Sequence, residues 1–350
     1  MTKVYVGMSG GVDSSLSAAL LKEQGYDVTG VYMKNWTQDM PGMRCPWADD
    51  LADAKRVAVQ LGIDFKVFDF ENEYKHKVVD YMIEEYRRGR TPNPDIMCNQ
   101  EVKFKLFLEA ALEDGADMIA TGHYARTVQK GDIVCLTRPK DALKDQTYFL
   151  YRVTGDALAK TVFPLGDLTK SEVRELAKAR GLFTAGKKDS QGICFVGKIG
   201  IRDFLSQYVE QKPGAIIDKK TGEKIGMHDG AIFYTLGQRH GLEVGGGLPY
   251  YVVGKDMEKN EVYVTTDLAD QTLWKKTISL TSIHWINQAP QNGSYAIRVR
   301  HRAPLVKANL TVTTTDVQLE LNDPERAVTA GQSVVVYDGD VCLGGGIVAS

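Results

Sequence analysis

Ser9-Gly10-Gly11-Val12-Asp13-Ser14-Ser15 directly follows a β-branched run, Lys3 to Met8, and opens a helical pattern, Ser14 to Gln24. Two adjacent glycines let the backbone turn tightly and aim several N–H groups at one point. A helix N-terminus adds partial positive charge, so the segment is suited to cradle phosphate oxygens. Ser9, Ser14 and Ser15 supply hydroxyl donors, and Asp13 is placed to hold an Mg²⁺ ion that travels with a nucleotide. The spacing lacks both G-x-G-x-x-G and the G-K-[ST] ending, which removes the main support for hydride transfer and for a Walker-type site.

The loop resembles the pyrophosphate-binding loop of ATP pyrophosphatases, which cleave ATP between its α and β phosphates and adenylate an oxygen so that a nucleophile can replace it. Two cysteine segments supply a candidate nucleophile. Arg90-Thr91-Pro92-Asn93-Pro94-Asp95-Ile96-Met97-Cys98-Asn99 contains two prolines, each pushing its predecessor toward an extended conformation, and reads as a rigid loop presenting Asp95 near Cys98. Gly186 to Phe195 is polar and carries Cys194 with Lys187 and Lys188, charges that favour a thiolate. Cys135 and Cys342 lie among aliphatic residues and read as buried filler, while Cys45 is a loop thiol without an assigned role. No C-x-x-C is present, and no metal centre is expected. An adenylating loop combined with two loop thiols points to sulfur transfer.

The elements that must position these residues follow from periodicity. Over the first ~125 residues, short β-branched runs (Val28 to Met33, Phe65 to Phe70, Met118 to Thr121) alternate with helical patterns (Trp47 to Leu61, Glu73 to Arg88, Val102 to Glu113). That alternation predicts an α/β, doubly wound parallel sheet, with its ligand at the carboxyl ends of the strands, where Ser9, Met33 and Gly122 fall. Thr169 to Ala179 predicts a helix whose Thr169 cap is answered by Glu172. Beyond Lys212, short alternating strands such as Glu261 to Thr265 and Tyr295 to Val299 predict two small mainly-β domains, the last a β-barrel. The expected domains are 1–200, a catalytic nucleotide domain, 201–272, a central β-rich domain, and 273–350, a barrel that binds nucleic acid.

The chain of 350 residues is 43% hydrophobic and 25% charged, the range of folded globular proteins rather than disordered or fibrous ones. It lacks an apolar run of membrane-spanning length, and its first residues lack a secretory pattern. A cytoplasmic location with no membrane partner is the expectation, and five cysteines are too few and of the wrong parity for a fully paired disulfide framework. The net charge is −2, yet Gln271 to Thr315 holds six basic residues and no acidic one. Arg298, Arg300 and Arg302 alternate along one predicted strand, giving a shared face for phosphates, with His301 opposite.

Taken together, Ser9 to Ser15, Thr91 to Cys98, Thr121-Gly122-His123-Tyr124, Lys144-Asp145-Gln146, Asp189 to Phe195, Tyr234 to Arg239 and Leu343 to Gly346 resemble the bacterial tRNA-specific 2-thiouridylases, in order and over essentially the whole chain. The resemblance implies a tRNA-uridine 2-sulfurtransferase that uses ATP with Mg²⁺ to replace the C2 oxygen of the wobble uridine by persulfide sulfur. It implies ATP contacts at Gly7, Met8, Ser9, Gly10, Gly11, Val12, Asp13, Ser14, Met33 and Gly122. Asn93, Pro94 and Asp95 would face the base, with Asp95 as general acid or base. Cys194 would carry the persulfide, with Cys98 closing a disulfide onto it. His123, Lys144, Asp145, Gln146, His301, Arg302 and Gln332 would touch tRNA, and Arg300, from the arginine alternation, is expected to join them. Implied partners are the Lys, Glu and Gln isoacceptors and a cysteine desulfurase or sulfur-relay protein. Two other readings share the loop. An ATP-dependent ligase or amidotransferase acting on a small acid needs neither cysteine, and a non-catalytic nucleotide module assigns the thiols no role.

Overall fold

The computed structural model describes residues 1–39, 45–188, 200–242, 244, 245, 247, 249–313 and 316–349. The chain begins with β1 (Lys3–Gly7), α1 (Val12–Glu23), β2 (Asp27–Lys34), α2 (Trp47–Leu61), β3 (Asp64–Asp69) and, after further helices, β4 (Met118–Thr121). A hairpin, β5 (Arg126–Lys130) and β6 (Ile133–Thr137), and a short β7 (Thr161–Val162) complete this part. The parallel sheet runs β3-β2-β1-β4-β7. Strand order reverses between β1 and β4, and a crevice for a ligand opens at their carboxyl ends. Val4, Val6, Val28 and Ala120 face Leu21, Ala54 and Val57 of α1 and α2 in one apolar layer. The second helix stops where expected, because Gly62 takes the left-handed conformation (φ +60°) that closes a helix end.

The central domain pairs β8 (Gly214–Asp218), β9 (Lys224–His228), β10 (Tyr251–Asp256) and β11 (Glu261–Thr265) in the order β10-β11-β8-β9 around Ile216, Tyr234, Val252 and Val262. The last six strands are β12 (Trp274–Trp285), β13 (Gly293–Arg298), β14 (Val306–Val312), β15 (Val317–Arg326), β16 (Ser333–Asp338) and β17 (Val341–Val348). They run β12-β15-β14-β13-β16-β17, and pairing of β12 with β17 closes the barrel. The barrel reaches back into the first domain, because β17 also pairs with β6, so the β5–β6 hairpin extends its sheet. A single apolar core therefore spans the boundary, joining Tyr148 and Tyr151 to Val335, Tyr337 and Cys342. Among the described residues, no helix is long and apolar enough to cross a membrane.

Candidate active site

The Ser9–Ser15 turn sits where the sheet's crevice requires it. Gly10 has φ +71°, and a Cβ there would lie 2.5 Å from the Asp50 carbonyl oxygen, so glycine is demanded by both conformation and space. A Cβ on Gly122, just after β4, would lie 2.8 Å from Ser14 N, which shows how closely β4 abuts the start of α1. Gly7 similarly leaves room for Met33, whose Cε would be 2.9 Å from an added Cβ. Met8, Gly122 and Met33 thus converge at the strand ends. The side chains of Met8 and Val12 are buried in core layers, and the Met8 N–H donates to Val31 O at 2.7 Å inside the sheet.

The serines act differently from the donors expected of them. Ser14 Oγ and Ser15 Oγ both donate to the Gly11 carbonyl, at 3.2 and 2.8 Å, and Ser9 N–H donates to Ser14 Oγ at 3.2 Å. Ser15 is fully buried, so its hydroxyl braces the turn rather than awaiting a phosphate.

Asp13 is the electrostatic centre of the loop. Lys170 Nζ donates to both of its oxygens at 2.7 and 2.8 Å, and Tyr124 OH donates to Oδ1 at 2.9 Å. Magnesium beside a nucleotide takes phosphate and water oxygens plus one or two carboxylates. As placed, Asp13 does not fit that role, because both oxygens hold an ammonium. Lys187 also departs from expectation. Its Nζ donates to Gly10 O at 3.1 Å and to Asp50 and Asp53 at 2.8 Å each. Burial opposes its charge, but these carboxylates outweigh that and raise its pKa. Its charge is therefore matched at the Gly10 turn rather than left to activate a thiol.

The proline segment is not the loop expected. Asn93 Oδ1 accepts the N–H groups of Asp95 and Ile96 at 3.1 and 3.3 Å, capping a helix that starts at Pro94. Proline fits there because the first helical N–H needs no partner. The helix runs through Pro94–Met97, widens to a π-wound stretch over Cys98–Leu106, and returns to α over Phe107–Glu113. Asp95 and Cys98 lie three positions apart on it, neighbours on one face. Cys98 is completely buried rather than an exposed loop thiol. Cys135 and Cys342 are buried as expected, and Cys45 is buried too, with burial raising its pKa. Cys194 lies outside the described residues.

His123 Nδ1 is 2.8 Å from Thr121 Oγ1, and its ring packs 5.7 Å from Phe104; desolvation and Lys103 hold its pKa well below the usual value. Gln146 accepts Tyr124 N–H at 2.8 Å, and Lys144 N–H donates to Asp141 Oδ1 at 3.2 Å. Asp145, 2% exposed, accepts from Arg138 (3.0 Å), from Arg298 of the barrel (2.9 Å) and from Thr147 Oγ1 (2.6 Å). Burial alone would raise its pKa, but these hydrogen bonds and charges prevail and lower it. Its stabilising effect is thus present above the ordinary carboxylate range and lost as pH falls through the lowered value. Asp145→Ala strands two guanidinium groups, and an urea melt at pH 7 is expected to show a loss of about 3–5 kcal/mol.

The expected stripe of arginines does not form. Strand β13 ends at Arg298, which is buried on Asp145, and the chain turns over 299–302, with Arg302 at φ +63°. Arg300 donates to the Arg326 carbonyl at 3.1 Å and lies 3.9 Å from Glu325. Acids absent from the local sequence arrive from other elements. Arg300 and Arg302 remain exposed, and the His301 ring stacks on Phe149 at 4.4 Å, where burial and the neighbouring arginines lower its pKa to about 4. Gln332 accepts Thr329 N–H at 3.2 Å in a barrel turn.

Tyr124, Lys170 and Lys187 were not singled out for the nucleotide loop by sequence. Tyr124 lies in the Thr121 to Tyr124 motif, Lys187 in the Cys194 segment, and the Thr169–Glu172 capping box places Lys170 at a helix start, but none of these signals points to the turn.

A braced glycine turn at the reversal of a parallel sheet, followed by a small β-domain and a closed barrel, defines an α/β protein of the HUP class with two β appendages. The families described as tRNA methyl transferase HUP domain, tRNA methyl transferase PRC-barrel domain and aminomethyltransferase beta-barrel domain match residues 2–198, 202–266 and 275–348. The tRNA-specific 2-thiouridylase MnmA of Bacillus subtilis (strain 168) is 48% identical over 99% of this chain and 95% of its own. That of Listeria monocytogenes serotype 4a (strain HCC23) is 47% identical over 99% and 94%. The chain belongs to the tRNA-specific 2-thiouridylase family. A solved structure, the U34-tRNA thiolase NcsA of Methanococcus maripaludis with its [4Fe-4S] cluster, is similar over 59% of this chain and 65% of its own at 18% identity, with a TM-score of 0.38.

Proposed function

We propose that this chain uses ATP to convert the C2 oxygen of the wobble uridine of tRNA to sulfur. The observation that carries the reading is a glycine turn braced by its own serines at the β1–β4 crevice, in a chain alike over 99% of its length to 2-thiouridylases. A ring carbonyl oxygen is a poor leaving group, and adenylation corrects that. The uridine O2 attacks the α-phosphorus, pyrophosphate leaves into the Gly10–Asp13 turn, and Asp95 manages the base's N3 proton as O2 becomes the nucleophile. The terminal sulfur of a persulfide on Cys194 then attacks C2, and AMP departs. Cys98 attacks Cys194 Sγ, releasing 2-thiouridine and leaving a Cys98–Cys194 disulfide, which an external dithiol must reduce before the next turnover. Adenylation also requires the nucleotide to leave its stack, a cost of a few kcal/mol that is least in a loop.

Asn93 and Pro94 would border the base. His123, Lys144, Gln146, Arg300, His301, Arg302 and Gln332 would contact RNA, while Asp145 would serve the contact by holding Arg298 and the barrel in place. The implied substrates are the Lys, Glu and Gln isoacceptors, and the sulfur comes from a cysteine desulfurase or a relay protein. The test is pyrophosphate release with and without bulk tRNA. Release that depends on tRNA is expected, whereas tRNA-independent release with a small acid would establish the ligase reading instead. Arg300→Ala and Arg302→Ala are each expected to weaken binding about equally across tRNA sequences and to lower the salt slope by roughly one. Filter-binding titrations at several salt concentrations check this, and an unchanged slope would make the turn a solvated surface.

A further inference from the structure

Two turns remote in sequence meet on the entry to the helix that carries Asp95 and Cys98. From the barrel, Ala330 O accepts Thr91 N–H at 2.9 Å, and Gly331 (φ +88°) lies so near that an added Cβ would be 2.8 Å from Thr91 N. From the central domain, Thr235 Oγ1 is 3.4 Å from Thr91 Oγ1. The two turns also abut each other, since a Cβ on Gly237 (φ +79°) would lie 2.5 Å from Ala327 Cβ. Ala327 itself is at φ +55°, unusual for a side chain that is not glycine. The central turn is anchored in its own domain, where Gly237 N–H donates to Val252 O and Lys255 Nζ donates to Tyr234 O, both at 2.8 Å. Thr91 lies two residues before Asn93, whose side chain caps Asp95 and Ile96. Displacing Thr91 therefore displaces the cap.

We propose that the 234–238 turn of the central domain and the 327–331 turn of the barrel are positioning elements that seat Thr91 and, through the Asn93 cap, the helix bearing Asp95 and Cys98. Packing alone would hold the domains together without setting that helix. The consequence for catalysis rests on the thiolation reading above, whereas the seating itself does not. Both β-domains would then contribute to the chemistry by fixing one short helix against the base, and the chain would need all three domains docked to react.

The experiment uses the full chain as wild type, Gly331→Ala, Gly237→Ala and Gly237→Ala combined with Ala327→Gly. Two quantities are followed. The first is alkylation of Cys98 by iodoacetamide, mapped by mass spectrometry, with buried Cys135 and Cys342 as internal controls for general unfolding. The second is kcat and KM for tRNA-dependent pyrophosphate release, with ATP affinity measured separately. In Gly331→Ala, where the new Cβ meets backbone that cannot yield, Cys98 alkylation is expected to rise about tenfold or more while the controls stay protected. Its kcat is expected to fall about 100-fold with ATP affinity unchanged. Gly237→Ala should behave likewise, and the added Ala327→Gly should reverse it in part, because it removes the colliding atom while the left-handed backbone at 237 still disfavours alanine. Cys98 as protected in Gly331→Ala and Gly237→Ala as in wild type, or exposed only together with the control cysteines, overturns the proposal. Raised Cys98 labelling in a chain whose wild type shows no tRNA-dependent release upholds the seating and overturns the thiolation reading alone.

Discussion

Cys194→Ser is expected to form no 2-thiouridine at all while still releasing pyrophosphate when tRNA is present, because a hydroxyl cannot carry a transferable sulfur but takes no part in adenylation. Cys98→Ser should accept persulfide on Cys194 and then turn over poorly, since nothing captures the bridging sulfur. Without reductant, wild-type enzyme should accumulate a Cys98–Cys194 disulfide during a single turnover, leaving Cys45, Cys135 and Cys342 reduced. A disulfide needs its α-carbons within ~7 Å, and Cys98 starts from a fully buried position on its helix. Non-reducing peptide mapping after one turnover, alongside mass spectrometry of the tRNA, reads each of these. Full thiolation by Cys194→Ser would remove the sulfur mechanism and leave only the nucleotide site.

Asp13→Ala should lower pyrophosphate release by about 10²-fold or more, the scale set by losing the geometry of a reacting group. The carboxylate holds Lys170 Nζ at 2.7 Å and Tyr124 OH at 2.9 Å, so alanine removes at once one partner of the ammonium and one of the phenol beside the Gly10–Asp13 turn. Binding of tRNA, whose proposed contacts lie on other elements, should be unchanged. Stopped-flow pyrophosphate detection beside tRNA binding separates the two effects, and retained adenylation would sink the assignment of the loop.

Local signals carried the sequence reading as far as they reach. Trp47–Leu61, Met118–Thr121 and Glu261–Thr265 have the expected bounds, and the Thr169–Glu172 capping box forms as read. Each is set by residues within a turn or a strand of itself. The proline segment holds its signal locally, since Asn93-Pro94 is a cap followed by a first-turn proline, but Pro92 and Pro94 one residue apart equally favour extended chain. The arginine stripe failed for a different reason. Nothing near Arg298 announces Asp145, its partner 153 positions away, or the turn that ends the strand. Lys170 and Asp13, 157 positions apart, are equally invisible until the sheet brings them together. Long-range ion pairs belong to the topology, so the candidate site was legible as a loop and two cysteines, without the charges that surround them.

The β5–β6 hairpin bears on the order in which the molecule can be completed at the ribosome. Strand β6 pairs with β17, and beside it Arg138 meets Asp340, 202 positions later. At about 5–20 residues per second, the hairpin emerges roughly 10–40 s before its neighbour exists. During that interval β6 presents an open edge on which another chain could add a strand. Among the described residues that edge is covered by β17, so a nascent chain halted before it would carry the Gly10 turn and an unprotected hairpin together. Full-length synthesis is thereby a precondition for a finished catalytic domain, and stalled fragments should be recognised by their stickiness rather than by residual activity.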